Sequence, residues 1–296
     1  MPEGPAPAPV IQRLRVRYAK RGRLRFTSHR DISRAVERAV RRAGIPVAFS
    51  AGFSPHPKIS YAGAAATGVA SEAEYLEIGL IATRDPARVR ADLDAALPDG
   101  LDIVDVVAVG REKSSALADR LEASEWRVRL DGVQETDAAE AVAAFLEAAA
   151  IEVERLTKKG RRRFDVRAAV SALEAPEAGA AEPARRAAEA VDAPCAILRM
   201  VVRHTTPAVR PDDILTGLRQ VADLAPPSPP LVTRLAQGPL DAVTGEIADP
   251  FELDRGELSP DREAVRPSGD DAVTARGPAL PQSDPAASAD VAGARS

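Results

Sequence analysis

The chain has 296 residues, 45% of them apolar and only 3% aromatic, with 40 Lys and Arg against 44 Asp and Glu for a net charge of −4. This fits one or two soluble domains whose cores are packed by Ala, Val and Leu. No apolar run approaches the roughly 20 residues of a membrane helix, the first residues lack the regions of an export signal, and a single cysteine, Cys195, excludes an intrachain disulfide and a Cys-rich metal site.

Residues 1–10 are rich in Pro, Ala and Gly and read as disordered. Leu14, Val16 and Tyr18 then alternate with Arg13, Arg15 and Arg17, which is strand periodicity. Leu24 and Phe26 alternate with Arg23 and Arg25, predicting a hairpin or one bent strand. Ser28-His29-Arg30-Asp31 is a helix-opening capping box, and Ile32, Val36, Ala39, Val40 and Ala43 continue at helical spacing until Gly44. A strand is expected over 45–49, a punctuated loop over 51–58 and extended chain over 59–61. A strand over 74–81, a helix over 85–97 and a strand over 101–109 follow.

The second half repeats the order. Strands are expected over 125–130 and 151–156, with a helix over 137–149 between them. The basic loop 157–163 comes next, and 164–170 continues as extended chain. After an Ala/Glu/Pro-rich insertion at about 174–194, with a short helix around 185–191, come a strand over 196–202, a helix over 211–222 and a strand over 231–235. The fold class expected is α+β, with two tandem ferredoxin-like (split β-α-β) units over 11–112 and 122–237. The acidic tail over 238–296 reads as disordered.

The small net charge hides a partition. Residues 10–60 hold thirteen Lys and Arg against two acids, residues 61–155 nine bases against twenty acids, and residues 156–170 six bases against one acid. Arg30, Arg34, Arg38 and Arg41 recur at three- and four-residue spacing and form a stripe opposite the apolar helix face. Arg13, Arg15, Arg17, Arg23 and Arg25 point away from the apolar strand face. Guanidinium forks on rigid elements suit phosphate oxygens, whereas the alternative is a solvated face paired with the acidic segment. Phe53, His56 and Lys58 lie in a loop stiffened by Pro55 and Pro57, where Phe53 is placed to stack on a base. Lys158, Lys159, Arg161, Arg162 and Arg163 form the corresponding basic loop of the second half. His29, at a helix N-terminus, is expected to share a sheet end with His56, and with Lys58 the pair is a candidate acid–base and anion-binding set. His204 is a weaker candidate. No phosphate loop, nucleophile elbow or His-Glu-x-x-His motif is present, and no metal site is expected from three scattered histidines.

The stretches Arg13–Lys20, Arg23–Asp31 and Ala48–Tyr61 carry a resemblance, together with Gly68–Leu76, Thr157–Gly160, Val209–Leu215 and Thr233–Gln237. They resemble the bacterial radical-SAM-linked (radical-SAM-associated) protein family. This is a domain of unknown function found fused to or alongside B12-binding radical SAM proteins, and free-standing in actinobacteria. The chain departs from that pattern at Ala51 and Ser54, where Gln and Asn are usual, and at Arg30, where Leu is usual. The resemblance implies that a base or substrate contact at the loop is weaker without those amides. The resemblance implies a radical SAM protein as partner, and no cofactor in this chain, because the three-cysteine cluster motif belongs to the other module.

The function expected is a non-catalytic RNA-binding or substrate-presenting module. It would act in the cytoplasm on tRNA or rRNA, beside a separate radical SAM or RNA-processing enzyme, without contact with a membrane. Two other classes stand beside it. One is an enzyme acting on a phosphorylated or carboxylated small molecule through His29, His56 and Lys58. The other is a protein–protein scaffold for the radical SAM partner.

Overall fold

A computed structural model describes residues 7–110, 115–157, 160–176 and 194–257. The alternation read in the first strand forms β1 (Gln12–Lys20), whose Leu14, Val16 and Tyr18 are buried on one face. The next alternation does not make a strand. Gly22, at φ +54°, diverts the chain after the last β1 pairing, Lys20↔Ser71, into a 3-10 turn over Gly22–Phe26. Leu24 N donates to Arg21 O at 3.1 Å and Thr27 N to Leu24 O at 3.0 Å, while Phe26 is left exposed.

Ser28 caps α1 (His29–Arg42) by accepting from Asp31 N at 3.3 Å, and Ile32, Val36, Ala39 and Val40 form its buried stripe. The strand expected over 45–49 reduces to isolated bridges, Val47↔Leu80 and Phe49↔Pro57, because Pro46 has no N–H for a ladder. Then follow β2 (Ile59–Ala62), β3 (Ala70–Leu80), α2 (Pro86–Ala96) and β4 (Ile103–Ala108). Asp85 caps α2, accepting from Ala87 N and Arg88 N.

In the second half come β5 (Ala123–Asp131), α3 (Glu135–Glu147) and the hairpin of β6 (Glu152–Thr157) and β7 (Gly160–Asp165). They lead to β8 (Val170–Glu174), β9 (Cys195–Arg203), α4 (Pro211–Ala222) and β10 (Leu231–Gly238). The extended run expected over 164–170 is broken at Asp165, whose Oδ1 accepts from both Ile151 N and Arg167 N and turns the chain from β7 towards β8. Most of the insertion, including the helix expected around 185–191, lies outside the described residues.

The protein is α+β, with one mixed eight-stranded sheet in the order β4-β1-β3-β10-β5-β9-β8 and β2 added on β3. Within each half the pairings are antiparallel; the halves join where β10 runs parallel to β3 through Thr233↔Ala70 and Arg234↔Ser71. α1 and α2 pack on Leu14, Val16, Leu76 and Ile78, and α3 and α4 on Val128, Leu130, Leu198 and Met200. Both sets of strand residues belong to one face, because Arg234, on the Val232 side of β10, bonds Glu74, on the Leu76 side of β3.

The opposite face of the first half is covered by the C-terminal segment. Disorder was expected from 238 onward, yet 238–257 folds back over β1, β3 and β4 and ends in α5 (Glu252–Glu257). Phe251, with 0% of its surface exposed, meets Tyr75 edge-on at 5.3 Å. Asp254 is held by Arg15 at 2.7 Å and Arg120 at 2.8 Å. A charged residue buried to this degree persists only when paired and hydrogen-bonded. Residues 258–296, the rest of the expected tail, and residues 1–6 lie outside the described residues.

Candidate nucleic-acid interface

The arginines read as a single basic surface divide into two populations. Those on β1 are already engaged. Arg13 pairs with Glu77 at 3.3 Å, Arg15 lies buried on Asp254 and Glu77, and Arg17 donates to Glu72 O at 3.1 Å. Arg25 is half-buried with its guanidinium 4.7 Å from the centre of the Phe26 ring. Arg15, with 2% exposure, is no surface cation at all, because α5 covers the face on which it was expected to meet solvent. Arg23 remains exposed.

The helical set is open. Arg30, Arg34, Arg38 and Arg41 all stand on the exposed face of α1. The loose contact of Arg34 with Asp31, at 3.7 Å, is an i,i+3 pair between two exposed side chains, worth a few tenths of a kcal/mol (about 0.3) in such settings. With 3.6 residues per turn and a 1.5 Å rise, four residues advance about 6 Å, so the row spans about 16 Å along the rigid helix. The helix is fixed from below by its buried stripe, so these cations are held on a scaffold.

The loop after α1 is closed on itself. Ser50 N donates to His56 O at 2.8 Å, His56 N to Ser50 Oγ at 3.0 Å and Lys58 N to Ala48 O at 2.7 Å. Phe53, at its tip, is 98% exposed. His56 and Lys58 are exposed on the same segment. The expectation that His29 and His56 share a sheet end is overturned. His29 opens α1 at the end where β1 finishes (Lys20↔Ser71), and α1 then carries the chain about 21 Å back. The 50–58 loop therefore sits at the end where β1 begins, beside Val47↔Leu80 and Gln12↔Leu80. His29 instead packs edge-on against Tyr61, ring centres 4.9 Å apart, and burial pushes the Tyr61 hydroxyl up to about 12. His29, His56 and Lys58 do not converge.

In the second half, Lys158 and Lys159 lie outside the described residues. Arg161 and Arg163 are exposed but share Glu154, at 2.9 and 3.3 Å, and Arg162 is exposed between them. Charged side chains on a two-stranded ribbon also guard its free edges against pairing with other chains. Because β5 runs in the same sense as β1 across the parallel β3–β10 junction, this hairpin and the 50–58 loop leave the sheet at the same end of the strands. His204 is structural: it contacts Leu121 O and Ser124 Oγ, each at 2.7 Å.

A cluster missed in the sequence sits at the junction of the halves. Arg234 reaches Glu74, Ser71 Oγ and Gln237 Oε1 with its guanidinium 5.4 Å from the Trp126 ring centre, while Lys20 Nζ donates to Ala65 O and Ala66 O. Burial lowers the Lys20 pKa from the usual ammonium range, with Glu74 opposing the shift, and burial beside Glu74 raises that of the Tyr18 hydroxyl. The sign in the sequence was a charged residue in an otherwise buried strand stride, at Glu74 and again at Arg234. Every charged group of this cluster is bonded to protein, so it holds the halves together rather than awaiting a ligand. Among the described residues no group of three or more His, Cys, Asp or Glu is placed to hold a metal, and no helix is long and apolar enough to cross a membrane.

The same strands and loops identify the relationship. A family model described as an uncharacterized protein conserved in bacteria (DUF2344) matches residues 13–211, from β1 to the first residue of α4. The chain belongs to this family. The matched region takes in α1 with its arginines, the 50–58 loop and the β6–β7 hairpin, whereas Arg234 and Asp254, which lock the described structure together, lie beyond it. No curated protein matches the chain.

Proposed function

We propose that this protein is a non-catalytic RNA-binding or substrate-presenting module that holds tRNA or rRNA for a separate radical SAM or RNA-processing enzyme in the cytoplasm. The observation that carries this reading is the row Arg30, Arg34, Arg38 and Arg41, exposed on one rigid helix while the neighbouring strand arginines are engaged within the protein. Cations without strong internal partners remain available to phosphate oxygens. The partner enzyme rests on the resemblance of the 23–31 and 48–61 stretches to radical-SAM-linked proteins. We further read the halves as tandem ferredoxin-like units, since β4-β1-β3-β2 and β10-β5-β9-β8 follow the same order of last, first, third and second strand once the β6–β7 hairpin is set aside.

Fluorescence anisotropy with labelled RNA at a series of salt concentrations tests the reading. Binding at low salt should weaken as salt rises, with a log–log slope near −0.7 for each phosphate neutralised on a single strand. Arg30→Ala, Arg34→Ala and Arg38→Ala together should remove about 2 from the magnitude of that slope and most of the affinity. Equal binding by wild type and triple variant sinks the proposal.

A further inference from the structure

The C-terminal end of the α1 row and the 50–58 loop lie at the same end of the first half. α1 finishes with Arg41 and Arg42 at the end where β1 begins, and the loop leaves the sheet at that same end through Ala48 N–Gly79 O and Lys58 N–Ala48 O. We propose that the two form one continuous site for single-stranded RNA, with the phosphates tracking along Arg30 to Arg41 and a base stacked on Phe53. This rests on the RNA-binding reading and deepens it by naming the form of RNA and the residue that selects it.

Three observations carry the inference. The first is the row itself, a single line of cations stepping about 5 to 6 Å from one arginine to the next, which suits one backbone. The second is Phe53. A lone exposed apolar residue is ordinary, but here the side chain is 98% exposed at the tip of a loop whose base is tied by two backbone–backbone hydrogen bonds and by His56 N on Ser50 Oγ, with Pro55 and Pro57 following it. A ring on a loop tied at its base loses less conformational freedom on binding than one on an untied segment, which is what a stacking platform needs. The third is the chemistry around the ring: His56 and Lys58 are exposed on the same loop, and no acid occurs between Glu37 and Glu72. An anionic backbone therefore meets no repulsive carboxylate from residues 38–71, while on α1 Asp31 is paired with Arg34. Bases in a duplex are already stacked on their neighbours, so the site selects unpaired RNA.

Phe53→Ala, Phe53→Leu and Phe53→Trp, each titrated against three probes, test this. The probes are a labelled 12-nucleotide single-stranded RNA, its perfect duplex, and inorganic polyphosphate, which has charge but no bases. Phe53→Ala and Phe53→Leu should weaken single-strand binding about 10- to 100-fold, as expected for one lost base stack. Both should leave polyphosphate binding unchanged, and Phe53→Trp should retain the single-strand affinity. Wild type should bind the single strand more tightly than the duplex. Unchanged single-strand affinity in Phe53→Ala, or an equal loss towards polyphosphate, overturns the stacking site while leaving the α1 reading standing. A wild-type protein that binds polyphosphate but neither RNA overturns the RNA reading itself.

Discussion

Asp254 stands 239 positions from Arg15, yet their side chains form a buried pair at 2.7 Å, with Arg120 on the same carboxylate. Removing one partner of a buried ion pair leaves the others desolvated and uncompensated, at a cost of about 3–5 kcal/mol. Asp254→Ala should therefore lower stability by about that amount in urea denaturation, and expose 238–257 to protease. A loss below about 1 kcal/mol would mean that water replaces the carboxylate. His204 provides a second test at this scale. Partial burial of its ring, part of which stays open to solvent, lowers its pKa from the ordinary imidazole value, with the Leu121 carbonyl opposing and Arg234 adding to the shift. The folded state thus prefers the neutral ring more than the unfolded chain does. The stabilisation is complete above the unfolded pKa, near 6.5, and is lost as pH falls through the lower folded value. Urea midpoints measured between pH 8 and pH 5 should fall less steeply for His204→Gln than for wild type; parallel curves would refute the assignment.

At the scale of elements, legibility followed the range of the interactions involved. α1 was readable from Ser28, Asp31 and the Ile32/Val36/Ala39/Val40 stripe, because capping and helical burial depend on residues three and four apart. The alternation Arg23 to Phe26 satisfied a strand pattern equally well but had no neighbouring strand to pair with, and Gly22 turned it aside. Strand periodicity is a necessary condition for a ladder, and the partner supplies the rest. The same limit explains the arginines. Sequence spacing placed Arg15 and Arg34 in one basic surface, yet a distant helix buried the first and left the second open. It follows that Arg30, Arg34 and Arg38 can be changed to Ala with each surface substitution shifting stability by no more than about 0.5 kcal/mol. Loss of RNA affinity in that triple variant, with an unchanged melting temperature, would separate binding from folding.

For the whole molecule, the junction decides whether there are two domains or one. β3 and β10 share two register pairs, but Arg234, Glu74, Ser71 and Gln237 add a buried network across them. Gln237 Nε2 further donates to Gly63 O and Ala73 O. A network of this kind couples its members, so the halves should unfold together. Trp126 is the single tryptophan and lies under Arg234, so its fluorescence reports on the junction while far-ultraviolet circular dichroism reports on both halves. The two probes should give one coincident urea transition. Glu74→Ala should lower its midpoint or split it in two, and separate transitions in the wild type would show that the halves are independent.

The sequence by itself determined the α+β class, the order of the main helices and strands, the arginine row on α1 and the stiff loop that carries Phe53. Each depends on contacts between residues near one another in the chain. Only the tertiary structure decided which arginines face solvent, that His29 and His56 lie at opposite ends of the first half, and that 238–257 belongs to the fold. Those outcomes depend on pairings remote in the chain, from Arg17–Glu72 and Gln12↔Leu80 to Arg234–Glu74 and Arg15–Asp254. Charge and burial at such separations are set by what packs opposite, and local pattern holds no record of it.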